Sequence, residues 1–273
     1  MNYPAFPLYP GKYALPAVPD PSEHAAYVRL REPAATLADL DGVVLTYQQH
    51  VMHYACSRYW NRQLEGWVRG ELRVLEYRSR ILGICGGFGL GAPVAALVLE
   101  QLGALGATRV ITVGTAASLQ RELRAGEIVV CDRALRDEGV SHHYLGPAPY
   151  AMPSSDLTDH LARILRARTT EVRRGTGWST DAPYRETAAE VAHYGAADVL
   201  TADMEAAAVF AVAEHRNIDA AAVFAVADSL VDRRARQNSP VTRNALHVAL
   251  EAALVALGDT ARASQRPGDE ALR

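Results

Sequence analysis

Short apolar runs alternate with helix-forming stretches along this chain, and four of the runs close on a glycine or an acid. Arg80 to Cys85 meets Gly86, Arg109 to Val113 meets Gly114, Asp198-Val199-Leu200 leads to Asp203, and Ala220 to Ala227 meets Asp228. An uninterrupted apolar run of this length reads as a strand covered on both faces. Strands that alternate with helices in this way predict one α/β domain around a mixed, mostly parallel sheet. In such sheets ligands sit outside the carboxyl ends of the strands. The turns at those ends are therefore where function is expected.

The rest of the chain fills in around these runs. Residues 1–38 read as an irregular, proline-rich arm with Tyr3, Tyr9 and Tyr13, too apolar for a solvated tail and expected to pack on the body or on a neighbouring subunit. The body is expected over 39–258, with a polar tail at 259–273. Gly42 to Tyr47 predicts a buried strand, Gln48 to Arg62 a helix, and Leu72 to Tyr77 a half-exposed strand. A helix is predicted over Val94 to Leu105, and a strand over Glu127 to Cys131. A loop is predicted over 136–153, a helix over Asp156 to Arg168, and a strand from Val172 to Gly177. Ser239-Pro240 opens a last helix running to Leu257, with proline at its first position.

Composition excludes several classes. A net charge of −3 gives no basic footprint for nucleic acid. No run approaches the ~20 apolar residues that span a bilayer. The first twenty residues lack a basic-then-apolar signal pattern, so a cytoplasmic protein is expected. Cys56, Cys85 and Cys131 are scattered without metal or disulfide spacing. Lys12 is the only lysine and lies in the arm, which leaves no credible Schiff-base residue. His142-His143 has no acidic or cysteine partner at ligand spacing, so no metal is expected.

The stretch from Thr201 to Ala208 is a strand-to-helix junction. Asp203 is placed to cap the first free N–H groups of the helix that follows. Glu205 sits in the first turn without a local partner, and favouring the helix dipole is its bland reading. Asp228 ends the most apolar strand, an approach that favours a raised carboxyl pKa and suits a general acid. Capping the next turn is its alternative reading. Gly87-x-Gly89-x-x-Ala92 matches a dinucleotide-binding pattern formally, but no acidic residue ends the next strand, so NAD binding ranks third among the functional readings. What survives is that glycines here let backbone approach a ligand closely.

Taken together, these pieces resemble the nucleoside phosphorylase family, which includes purine nucleoside phosphorylase, uridine phosphorylase and the methylthioadenosine nucleosidases. The resemblance rests on Gly89-Leu90-Gly91-Ala92-Pro93, Val113-Gly114-Thr115-Ala116-Ala117-Ser118-Leu119, Ala125-Gly126-Glu127-Ile128-Val129-Val130, Asp203-Met204-Glu205-Ala206 and Ala227-Asp228, in that order and spacing. It implies a three-layer α/β/α fold, no cofactor, a nucleoside with phosphate or water as small-molecule partners, and a homo-oligomer, dimer or hexamer. It further implies that Glu205 holds the ribose hydroxyls, Met204 packs on the sugar, and Leu90 with Gly89 lines the ribose pocket. Asp228 would protonate or hydrogen-bond the departing base. Tyr184, Arg185, Glu186, His143 and Tyr144 would lie near the base or the 5′ end. Gly114, Thr115 and Gln48 would face phosphate or water.

The chain departs from that family at two places. Phosphorylases carry an arginine two residues before the glycine of the Val-Gly-Thr turn, where this chain has Thr112. They also carry a Gly-Asp pair and an arginine after the first strand, replaced here by Tyr47-Gln48-Gln49-His50. Arg73 is one candidate to replace the missing cation. Phosphorolysis to base and ribose 1-phosphate is the leading expectation. Hydrolysis, as in a nucleosidase, and non-catalytic nucleoside binding stand as alternatives.

Overall fold

The computed structural model describes residues 6–232 and 239–259. Its centre is the first parallel pair of the sheet. β1 (Val43–Thr46) lies between β4 (Arg80–Gly86) and β5 (Arg109–Ser118), parallel to both. β10 (Asp219–Ser229) then lies parallel to β5 on its other side. All four residues of β1 and eight consecutive residues of β10 are buried.

Both faces of these strands are apolar because each meets its own helical layer. Val43 and Leu45 join one core, shared with α1 (Ser22–Arg29), α3 (Ala92–Ala104) and α7 (Ala206–Arg216). Val44 joins the other, shared with α2 (Gln49–Arg58), α5 (Ser155–Arg166) and α8 (Pro240–Gly258). β10 divides in the same way, with Ala222 and Phe224 to the first layer and Ala221 and Val223 to the second. Burial of one such valine or leucine side chain is worth roughly 1.5–3 kcal/mol, so a charge at any of these positions would open a layer.

The remaining strands make the sheet mixed. β3 (Glu71–Tyr77) pairs antiparallel with β4 and with β2 (Asn61–Gln63). β6 (Ile128–Asp137) is antiparallel to β10 and parallel to β8 (Val172–Thr180), which is parallel to β9 (Val199–Asp203). The sheet curls until β9 meets β5, antiparallel, through Ala117↔Ala202 and Ser118↔Thr201. The three-layer α/β single-domain expectation holds.

Several local expectations do not. The helix expected from Gln48 to Arg62 stops at Arg58, because Asn61–Gln63 is drawn into the sheet as β2. β5, β6 and β8 outrun their apolar stretches, since polar Thr115, Arg136 and Ser179 still find ladder partners. The loop expected over 136–153 contains the end of β6, the short helix α4 (Ser141–Tyr144) and β7 (Tyr150–Ala151). The arm is not wholly irregular: α1 buries Ala25 and Val28 in the first core layer, followed by Ala35 and Leu37. α6 (Ala188–Ala196) is closed by a Thr187/Glu190 capping box. The helix start at Ser239-Pro240 is as expected, with the Ser239 hydroxyl accepting from Thr242 N. The expected tail lies outside the described residues beyond 259.

Candidate active site

Ala117 in β5 is the reference point of the site. On one side it pairs with Asp228 of β10, just past a bulge, and on the other with Ala202 of β9. Two strand spacings, about 10 Å, therefore separate the backbones carrying Asp228 and Asp203-Met204-Glu205. β9 runs against β5, so the chain beyond Asp203 heads back along β5 towards Gly114 and Thr115. The strand ends share an edge, as expected, but β9 reaches it from the opposite direction.

Glu205 is 5% exposed and its Oε1 accepts the backbone N–H of Gly91 at 2.7 Å. The bond is possible because Gly91 has φ +100°, a conformation that brings the glycine-rich turn over the carboxylate. A Cβ on Gly91 would stand 4.0 Å from Met204 Cε, so Met204 and this turn are neighbours. Gly89, at φ +102°, has no atom within 4 Å of where a Cβ would be, and Leu90 between them is exposed.

Asp203 works for the scaffold. Its Oδ2 accepts from Ala206 N at 2.9 Å, its Oδ1 from the Ser179 hydroxyl at 2.5 Å, and Ser179 Oγ accepts from Ala207 N. Two strands are thereby tied to the start of α7. Complete burial pushes the Asp203 carboxyl up to about 6, against the lowering effect of those hydrogen bonds.

Thr112 does not face an open anion site. Its hydroxyl and the Tyr47 hydroxyl lie 2.8 Å apart, Thr112 fully buried and Tyr47 partly so. Burial first, then the nearby Glu205 carboxylate, raises the Tyr47 phenol and keeps it neutral. The Tyr47 ring also lies against Gly114, where a Cβ would come within 3.1 Å of it. One residue further on, Gln48 Nε2 donates to Thr115 Oγ1 at 3.2 Å. Beside that pair opens a cavity of about 960 Å³, bordered by Gln48, His50, Arg73, Thr115, Thr242 and Arg243 among others.

On the far side, partly buried Glu186 stands close enough to Asp228 to feel its charge. Burial first, then Asp228 and Glu190, pushes the Glu186 carboxyl up to about 7. Asp228 itself is partly buried, not enclosed. Tyr184 and Arg185, in a 3₁₀ turn just before Glu186, are exposed, Tyr184 completely.

The structure does not bring Tyr144 to Glu205. It packs on His215 at the other end of α7 and senses Glu100 of α3. Ten residues of helix separate His215 from Glu205, about 15 Å at 1.5 Å per residue. Neighbouring His143 accepts from Lys12 Nζ at 2.9 Å and packs against Phe6, while His142 Nε2 bonds the Arg136 carbonyl. The arm thus folds onto its own α4. Sequence reasoning did not find the Gly91–Glu205 bond, the Ser179 contact or Arg243. Only the last had a visible signal, an arginine in the opening turns of a helix whose start was legible.

A protein-family model described as the phosphorylase superfamily matches residues 67–257. Guanosine phosphorylase of Halorubrum lacusprofundi is 33% identical over 143 residues, 52% of this chain, and the match spans 59% of that relative's length. Uridine phosphorylase of Treponema pallidum is 31% identical over 182 residues, 60% of this chain and 69% of the relative. The crystal structure of uridine phosphorylase from Vibrio fischeri superposes with a TM-score of 0.70 at 25% identity, over 85% of this chain and 94% of the other. With a model match across most of its length and this fold beneath it, the chain belongs to the phosphorylase superfamily.

Proposed function

We propose that this protein cleaves the N-glycosidic bond of a nucleoside by phosphorolysis, as a glycosyltransferase of the pentosyl class. A phosphate oxygen bonds to C1′ of the ribose as the C1′–N bond breaks. The bonding pair leaves with the base, which takes a proton, and ribose 1-phosphate remains. The observation that carries this reading is the buried Glu205 carboxylate, anchored by Gly91 N–H beside Met204, with Asp228 two strands away. Positive charge builds on the sugar and negative charge on the base, so a carboxylate at the diol and an acid at the base both act where charge develops. The names of the relatives support the same chemistry.

In this reading Leu90 and Gly89 border the ribose, and Glu186, with Tyr184 and Arg185, faces the base. Gly114, Thr115 and Gln48 lie on the nucleophile's side. His143 and Tyr144 belong to the 5′ side only through a neighbouring copy, given their place at the far end of α7. We assign the catalytic body to residues 39–258 and expect a cytoplasmic homo-oligomer, dimer or hexamer. The exposure of Leu90 (56%) and Tyr184 (100%) supports a second copy completing the pocket.

The neutral Tyr47–Thr112 pair favours one further reading, hydrolysis, because it occupies the place of the expected arginine. Incubating a panel of purine and pyrimidine nucleosides with and without phosphate separates the two. Ribose 1-phosphate and phosphate-dependent base release are expected. Free ribose at a rate indifferent to phosphate would establish the hydrolase. Affinity without turnover under both conditions would leave a binding protein.

A further inference from the structure

The cavity beside Thr115 is bordered by two arginines from elements far apart in the chain. Arg73 projects from the middle of β3 and Arg243 from the opening turns of α8. We propose that Arg243, with Arg73, takes over the binding of the attacking phosphate against Thr115 and Gln48, the task for which position 112 has no cation; this rests on the phosphorolytic reading above.

Arg73 is already held in place. Its Nε donates to Glu71 Oε2 at 2.9 Å and its Nη1 to Asn61 Oδ1 at 3.0 Å, with 27% of the side chain exposed. Glu71 also borders the cavity, so part of the Arg73 charge is already matched. The guanidinium of Arg243 stands near enough to His50 and His247 for its charge to disfavour protonation of both. His50 also borders the cavity, and its Nε2 is buried without a hydrogen-bond partner, as is Oε1 of Gln48. The Thr115 hydroxyl and the Gln48 amide N–H are donors that suit phosphate oxygens, and two arginines supply the charge. A phosphate held there lies beside Thr115 of β5, two residues before Ala117, the partner of Asp228 in β10.

The test follows initial rates as phosphate is varied at saturating nucleoside, and then the converse. Arg243→Met is expected to raise the KM for phosphate by about 10-fold or more, the scale of one charge-assisted hydrogen bond. The KM for nucleoside and the melting temperature without phosphate stay near those of the parent. Arg73→Met raises it as well, and Arg243→Lys, which keeps charge but not the planar fork, falls between parent and Arg243→Met. Inhibition by sulfate should weaken in the same order. An unchanged phosphate KM in both Arg243→Met and Arg243→Lys, with turnover still phosphate-dependent, overturns the site and leaves phosphorolysis standing. Base release that ignores phosphate in the parent enzyme overturns both.

Discussion

The backbone N–H of Gly91 reaches Glu205 Oε1 at 2.7 Å across 114 residues of chain. That bond joins the start of α3 to the start of α7 and ties a buried carboxylate to a turn far away in the chain. Backbone N–H groups meet both oxygens, Gly91 at Oε1 and Met204 at Oε2 (3.3 Å), and so fix the orientation of the group that we propose holds the vicinal diol. Glu205→Gln keeps the shape but removes the charge. It is expected to lower kcat/KM by about 10²–10³-fold, the scale of losing one electrostatic stabiliser aimed at developing charge. Gly91→Ala should do comparable damage by a different route. At φ +100° an alanine is strained, and the turn must move away from the carboxylate. Steady-state kinetics on both variants, with melting curves to verify the fold, checks this.

Asp228 lies on the other side of Ala117, where a bulge in β10 turns the chain just before it. Asp228→Asn leaves a hydrogen-bonding group of the same size without a proton to give. A loss of about 10²–10⁴-fold in kcat is expected, with little change in the KM for nucleoside. The loss should shrink for substrates with better leaving groups, such as nitrophenyl ribosides, which need no protonation. Equal losses for both substrate types would place Asp228 in binding instead.

How the site could be read from the chain differs residue by residue. Asp203 and Asp228 were legible because each ends an apolar run, and the run itself predicts a buried strand. Glu205 was legible only as a residue without a partner, since its partner sits 114 positions away and no local pattern encodes a contact of that separation. Tyr47 and Thr112 were both visible as departures from the family pattern. That they answer one another depends on β1 and β5 being neighbours in register, Thr46 opposite Val113, which periodicity does not reveal. The extensions of β5 and β6 escaped because polar residues such as Thr115, Asp132 and Arg133 interrupt the apolar runs while ladder bonds carry the strands on, and α4 escaped because a single turn shows no period.

Glu186 gives the site a pH signature. Burial, then the charge of Asp228, raises its carboxyl from the usual range to about 7. A carboxyl raised in the fold favours the protonated state. Its contribution to stability is complete below about 4.5 and is lost as pH rises through 7. For activity, the pH profile of kcat/KM should therefore show an apparent pKa close to 7, that of Glu186. Glu186→Gln is expected to remove that limb while leaving a measurable rate. A profile unchanged by the substitution would assign the limb to another group.

The Tyr47–Thr112 pair can be separated from catalysis by a double-mutant cycle. The two hydroxyls answer each other at 2.8 Å, Thr112 fully buried and Tyr47 partly so. Removing one leaves its partner unsatisfied, so Tyr47→Phe and Thr112→Val should each destabilise the fold by about 1–3 kcal/mol. Removing both takes away the unmatched group as well as the bond, and the double variant should be close to the better single one. Denaturant unfolding of the four proteins measures the coupling. If the pair is purely structural, the KM for phosphate stays constant through the cycle, even as stability falls and recovers. A phosphate KM that follows the Thr112 substitution would instead give that hydroxyl a direct part in holding the nucleophile.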